Sequence, residues 1–190
     1  MTEKKSENVR PPIRILHLED VRSDADLVKR AVKMSGLQFE WRWVSSKKDF
    51  ELALTEFSPD IVISDHTLPN FTSIQALKIV KAAGINIPFI LVTSTVSEEF
   101  ATSMIKEGVA DYLLKDRLQR LPNAVLAALE KSRSEKEKEA HLTEIIRSEN
   151  RFRSLIENSQ SMIMLYDETG NIIYTSPAVK RIFGYGQNDT

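Results

Sequence analysis

Cysteine is absent from the 190 residues, which excludes disulfides, thiolate nucleophiles and thiolate metal sites from this stretch. Excess charge is missing too. The 26 Lys and Arg residues against 27 Asp and Glu leave a net −1, so bulk charge offers no route to nucleic acid or to an anionic membrane. No apolar run approaches the length that spans a bilayer. Met1-Thr2-Glu3-Lys4-Lys5 leads into polar residues with no signal-peptide core, and a reducing, cytoplasmic setting is the expectation. What remains is a globular composition, 42% hydrophobic and 28% charged, long enough for one full domain and part of a second.

Residues 1–12 are polar and end in Pro11-Pro12, which predicts a disordered tail with an extended exit. Ile13-Arg14-Ile15-Leu16-His17-Leu18 then reads as a strand that hands directly to Glu19-Asp20. A helix is expected from about Ser23, with Val28, Ala31, Val32 and Ser35 on one face and Gly36 as its stop. Phe39 to Val44 alternates like an edge strand, and Lys47 to Phe57 repeats Phe50, Ala53, Leu54 and Phe57 at helical spacing. The β-branched run Ile61-Val62-Ile63-Ser64 ends in Asp65 and is followed by His66-Thr67-Leu68-Pro69. That is the pattern of a buried strand delivering its last side chain to a loop. Ser73 to Ala83 predicts a third helix, Pro88 to Val92 a fourth strand ending in Thr93, and Ser97 onward a fourth helix with Phe100, Met104 and Ile105 inward. Ala110 to Leu114 is a fifth strand ending in Lys115. Five alternations of strand and helix define an α/β fold, a doubly wound parallel sheet with helices on both faces.

In such a sheet the carboxyl ends of the strands share one edge, where ligands bind. Glu19, Asp20, Asp65, Thr93 and Lys115 are thereby predicted to converge. Carboxylates gathered at one point repel unless a hard cation sits among them, and Mg²⁺, which tolerates few carboxylates and keeps positions open for phosphoryl oxygens, fits that need. Lys115 adds a point charge and Thr93 a hydroxyl, both suited to the oxygens of a phosphoryl group in transfer. Taken singly, each has a plainer use: Asp65 as a turn former, Thr93 as a helix-starting hydroxyl, Lys115 as a solvated charge, Tyr112 as packing. His17 and His66 read as hydrogen-bonded bystanders. The joint pattern carries the functional reading.

In that order and spacing, Leu18-Glu19-Asp20, Asp65 with Leu68-Pro69, Thr93-Ser94 and Asp111-Tyr112-Leu113-Leu114-Lys115 resemble the receiver domain of two-component response regulators, over residues 13–130. The resemblance implies a flavodoxin-like five-stranded sheet of order 2-1-3-4-5. It implies Asp65 as phospho-acceptor, Glu19, Asp20 and the backbone carbonyl of Thr67 as further holders of Mg²⁺, Thr93 and Lys115 as phosphoryl ligands, and Tyr112 as the aromatic that switches with Thr93. The implied partner is a histidine kinase or phosphotransfer protein carrying phosphohistidine. The chain departs from the family in four places, five residues in all: Glu19 for the commoner Asp, Ser73 for Gly, Asp116 for the Pro after Lys115, and the pair Thr67 and Thr95 where amides or acids flank the water route. The last departure predicts slow hydrolysis of an aspartyl phosphate.

The fifth helix is expected to begin near Pro122, with Val125, Leu126 and Leu129 toward the sheet, and to run on as a helical linker, residues 131–150. Lys131 to Glu139 is charged, and a seven-residue frame through Leu121, Val125, Ala128, Leu142, Ile146 and Ile156 predicts a parallel homodimer through a coiled coil. His141 lies in Ala140-His141-Leu142-Thr143-Glu144, which resembles no histidine-kinase phospho-acceptor box. Residues 151–190 resemble the N-terminal part of a PAS domain, cut short: Phe152 to Ser159 as its opening helix, a hairpin across Asp167-Glu168-Thr169-Gly170, then a helix from Ser176. The parent chain is therefore expected to be a sensor or hybrid histidine kinase. Two rival classes stand beside this reading. A haloacid-dehalogenase-type hydrolase needs a second Asp where Thr67 stands, and a pseudo-receiver would dimerise without phosphate.

Overall fold

The computed structural model describes residues 11–69, 71–94, 98–159 and 161–184, so the expected N-terminal tail and Thr95 lie almost wholly outside the described residues. Five parallel strands form the main sheet: β1 (Ile13–Leu18), β2 (Phe39–Val44), β3 (Ile61–Asp65), β6 (Phe89–Thr93) and β7 (Asp111–Leu114). Their order is β2-β1-β3-β6-β7, which is the expected 2-1-3-4-5 once a short hairpin inside the chain is counted. That hairpin, β4 (Thr67–Leu68) with β5 (Phe71–Thr72), was not expected. It turns the chain directly behind Asp65.

The period-two alternation of the strands feeds two cores, because successive side chains leave opposite faces of the sheet. Leu16, Leu18, Val62, Phe89 and Leu91 pack with α2 (Lys47–Glu56), α3 (Ser73–Ala82) and Met104 of α4 (Glu98–Lys106). Ile15, Ile61, Ile63, Ile90, Val92 and Leu113 pack with Val28 and Val32 of α1 (Arg22–Met34) and with Leu121, Val125 and Ala128 of α5 (Leu121–Glu157). A capping box fixes the start of α3: Thr72 accepts from the Gln75 amide, and the Gln75 side chain accepts from the Thr72 amide. Gly36, with φ of 78°, stops α1 as expected.

Some inward assignments change. Ile105, Leu126 and Ser35 are exposed, while Met104, Val125 and Val32, expected on the same faces, are buried. Between β7 and α5 the chain makes a 3₁₀ turn, Lys115–Arg120, that buries Leu118. No peptide bond among the described residues is cis, so Lys115–Asp116 is trans. His17 is fully buried, and neither ring nitrogen has a partner. Its ring meets Trp41 edge-on at 5.0 Å. Burial, with help from the Lys115 charge, lowers its pKa to about 3.

Two compact units divide at residues 134 and 135, and α5 spans the boundary. Along this helix the seven-residue frame splits in use. Leu121, Val125 and Ala128 are buried in the core of the first unit, Leu142 and Ile146 are exposed, and Ile156, in the second unit, is buried again. The first three positions are therefore not available to a partner helix, and any seam must begin later. No helix among the described residues is long and apolar enough to cross a membrane. In the second unit, β8 (Met164–Tyr166) and β9 (Ile172–Thr175) form the expected hairpin, followed by α6 (Pro177–Phe183). Asp167 closes the turn by accepting from the Thr169 hydroxyl and from the Thr169 and Asn171 amides. Those bonds, the Thr169 hydroxyl first, hold its pKa down at about 2.

Candidate functional site

The carboxyl edge of the sheet brings the predicted groups together because β1, β3, β6 and β7 are parallel neighbours in register: Leu18 lies beside Ser64, Asp65 beside Val92, and Thr93 beside Leu114. Glu19, Asp20 and Asp65 each offer an oxygen within 4.8 Å of the others. Glu19 is wholly buried, Asp65 nearly so, and Asp20 half-buried. Trp43 and the backbone brace this corner. The Glu19 amide donates to the Val44 carbonyl at 3.0 Å, and the Trp43 indole donates to the Glu19 carbonyl at 2.7 Å.

Lys115 reaches into the acidic group from the end of β7. Its Nζ donates to Glu19 Oε2 at 2.8 Å and to Asp24 Oδ2 at 2.6 Å, and lies 3.5 Å from Asp65 Oδ2. Burial would lower its pKa, but the bonds to Asp24 and Glu19 and the charges of Asp65 and Glu19 outweigh that and raise it. Burial raises Glu19, with Lys115 and the Val21 amide opposing and the Asp65 charge adding. It raises Asp65 as well, with Lys115 and the His66 amide opposing and the Asp20 charge adding. Two buried carboxylates that resist ionisation beside a third form a donor set that a hard divalent cation would relieve.

Thr93 ends β6 and is buried, while Tyr112 on the adjoining β7 is 38% exposed. Thr67 is exposed in β4, two residues past Asp65. Ser73 answers one departure from the family: its hydroxyl is buried and meets His66 Nδ1 at 2.9 Å. The His66 amide donates to Asp65 Oδ1 at 2.7 Å, and its ring lies 4.3 Å from that of Phe100. His66 is thus tied to three elements around the acceptor and is more than a bystander to the fold. Asp24 was missed by sequence reasoning. The available signal was an acid in the first turn of α1, four residues past Asp20, but such an acid is ordinarily assigned to the helix dipole.

A receiver-domain family model, described as "Response regulator receiver domain", matches residues 15–126, and a PAS-domain model matches residues 150–190. The chain belongs to the response-regulator receiver family and carries a PAS match at its C-terminal end. Regulatory protein AtoC of Escherichia coli K12 is 25% identical over 167 residues, 87% of this chain and 36% of that protein. The swarming motility regulation protein RssB of Serratia marcescens is 33% identical over 101 residues, 53% of this chain and 45% of that protein. Sensor histidine kinase TmoS of Ectopseudomonas mendocina is 27% identical over 159 residues, 69% of this chain and 16% of that protein. The chain thus spans less than half the length of these relatives. Among solved structures, the signal receiver domain of a LuxO repressor protein from Vibrio parahaemolyticus superposes with a TM-score of 0.61 at 26% identity, covering 68% of this chain and 98% of that one. A CheY-like receiver protein from Methanospirillum hungatei, at 20% identity and a TM-score of 0.57 over 66% of this chain and 99% of that one, shares the fold.

Proposed function

We propose that this chain is the phospho-acceptor module of a two-component phosphorelay in a cytoplasmic setting, with Asp65 as the acceptor. The observation that carries the reading is the convergence of Glu19, Asp20 and Asp65 within 4.8 Å under the Lys115 ammonium. In the transfer, an Asp65 oxygen forms a bond to phosphorus while the P–N bond of a donor phosphohistidine breaks, the imidazole leaving with the electron pair. The His66 amide orients the carboxylate by holding its Oδ1. Lys115 and the Thr93 hydroxyl meet the phosphoryl oxygens. Glu19, Asp20, Asp65 and the Thr67 carbonyl are the groups that would hold Mg²⁺, which when bound supplies positive charge for those oxygens. Tyr112, exposed on the strand next to that of Thr93, is the aromatic whose rotamer would report the change. The donor is a histidine kinase or phosphotransfer protein, and the readout is a parallel homodimer through the exposed part of α5, directed at the PAS segment.

Intact-mass measurement after incubation with Mg²⁺ and acetyl phosphate tests the reading. One phosphoryl adduct per chain, absent from Asp65→Asn, is expected. An unmodified chain under saturating donor and Mg²⁺ would favour the pseudo-receiver, in which the same helix signals without phosphate.

A further inference from the structure

Lys115 has a partner that the phospho-acceptor reading does not use. An ammonium carries three N–H donors, and three carboxylates surround this one. The shortest approach is to Asp24 Oδ2 at 2.6 Å, ahead of Glu19 at 2.8 Å and Asp65 at 3.5 Å. Asp24 stands outside the triad of Glu19, Asp20 and Asp65. It is carried by the first turn of α1, where the Val21 carbonyl accepts the Asp24 amide at 3.1 Å. Its side chain is one-third exposed, so it keeps its negative charge solvated while holding a lysine that is 11% exposed.

Geometry therefore gives Lys115 two alternatives. It can remain on Asp24, or it can turn to the group on Asp65. Glu19 does not offer the same choice, because its other oxygen is held by the Val21 amide at 3.1 Å and its free lone pairs belong to the cation-holding set. When an Asp65 oxygen forms its bond to phosphorus and the donor's leaving group departs with its electron pair, new negative charge appears beside Lys115. To close the 3.5 Å separation on that side, the ammonium shifts away from one of its two short bonds. The bond to Asp24 is the one whose loss leaves the metal-holding carboxylates undisturbed.

We propose that Asp24 is a holding arm for Lys115: it keeps the ammonium while Asp65 is unmodified and competes with the aspartyl phosphate for it, limiting the phosphorylated population. The proposal rests on the reading of Asp65 as acceptor. Asp24 is a positioning residue in this account, since it acts through Lys115.

The test compares the parent chain with Asp24→Asn and Asp26→Asn. The first keeps the shape of the side chain and removes the charge that makes the bond to Lys115 strong. The second removes the same charge from the start of the same helix, where Asp26 pairs with Arg22 at 3.4 Å on the surface. Formation of the Asp65 adduct from acetyl phosphate under saturating Mg²⁺ and its decay after donor removal give a ratio of rate constants for each protein, and thermal melts confirm that all three are folded. Asp24→Asn is expected to raise that ratio roughly fivefold, the scale of one partly exposed ion pair, with Asp26→Asn within twofold of the parent. Adducts on all three proteins with equal ratios, or a lower ratio in Asp24→Asn, would overturn the holding arm and leave the acceptor reading intact. No adduct on any of them would overturn both.

Discussion

Lys115 and Glu19 form an ion pair of 2.8 Å in which the carboxylate is wholly buried and the ammonium 11% exposed. The pair occupies the same carboxylate that a cation would use. Lysine and a metal ion would therefore compete for Glu19.

Lys115→Met is accordingly expected to bind Mg²⁺ more tightly, by roughly tenfold or about 1.4 kcal/mol, because the competing charge is gone. The same variant should accept a phosphoryl group more slowly, since it loses a ligand for the phosphoryl oxygens. Titrating Trp43 fluorescence with Mg²⁺ reads the first effect, as the indole is bonded to the Glu19 carbonyl. Unchanged or weaker Mg²⁺ binding would contradict the competition.

His17 gives a pH prediction whose sign follows from its environment. Its folded value of about 3 lies below the ordinary 6.5, so folding favours the neutral ring. That stabilisation is complete above pH 6.5 and is lost as pH falls through 6.5 toward 3. Glu19 and Asp65 are raised by burial, so their contribution runs the other way: it is present below the ordinary carboxylate values and is lost as pH rises through the raised ones. Replacing His17 by Leu removes the first effect alone. Between pH 7.5 and 4.5 the parent should lose on the order of 2–3 kcal/mol more than His17→Leu in urea unfolding, and parallel pH profiles would refute the assignment.

The lifetime of the aspartyl phosphate is set by what orients attacking water. With Thr67 two residues past Asp65 and exposed, no amide or carboxylate is supplied there. Phosphate release is expected to take minutes or longer, and Thr67→Asn should quicken it several-fold while leaving the backbone carbonyl in place. Release from the parent within seconds after removing the donor would count against this.

Association through α5 should depend on its exposed half only. Leu142→Ser with Ile146→Ser is expected to abolish concentration-dependent dimerisation in sedimentation velocity with little change in the melting of the receiver unit. Leu121→Ala, in the buried half, should instead cost about 2–5 kcal/mol of stability. A dimer that survives the double substitution would place the interface elsewhere.

The strands and the meeting of Glu19, Asp20, Asp65 and Lys115 at their carboxyl ends were legible because apolar runs ending in polar residues carry both the element and its boundary, whereas the strand order followed only from the resemblance to the receiver family. Less legible was what side chains do to one another across elements. The bond from Lys115 to Asp24 joins residues 91 positions apart, and no local pattern distinguishes it from a helix-dipole acid. Nor could periodicity show that Leu121, Val125 and Ala128 serve the sheet while Leu142 and Ile146 face outward, since one apolar frame runs through both. The β4–β5 hairpin is two residues per strand, too short for alternation to register.

Identifying the modified residue tests the central claim most directly. Borohydride reduces an acyl phosphate to an alcohol, converting a phosphorylated aspartate to homoserine, which peptide mass spectrometry locates. After treatment with Mg²⁺ and acetyl phosphate the account predicts homoserine at position 65 and nowhere else. Homoserine at position 20 or 24, or none in a protein shown to bind Mg²⁺, would contradict it.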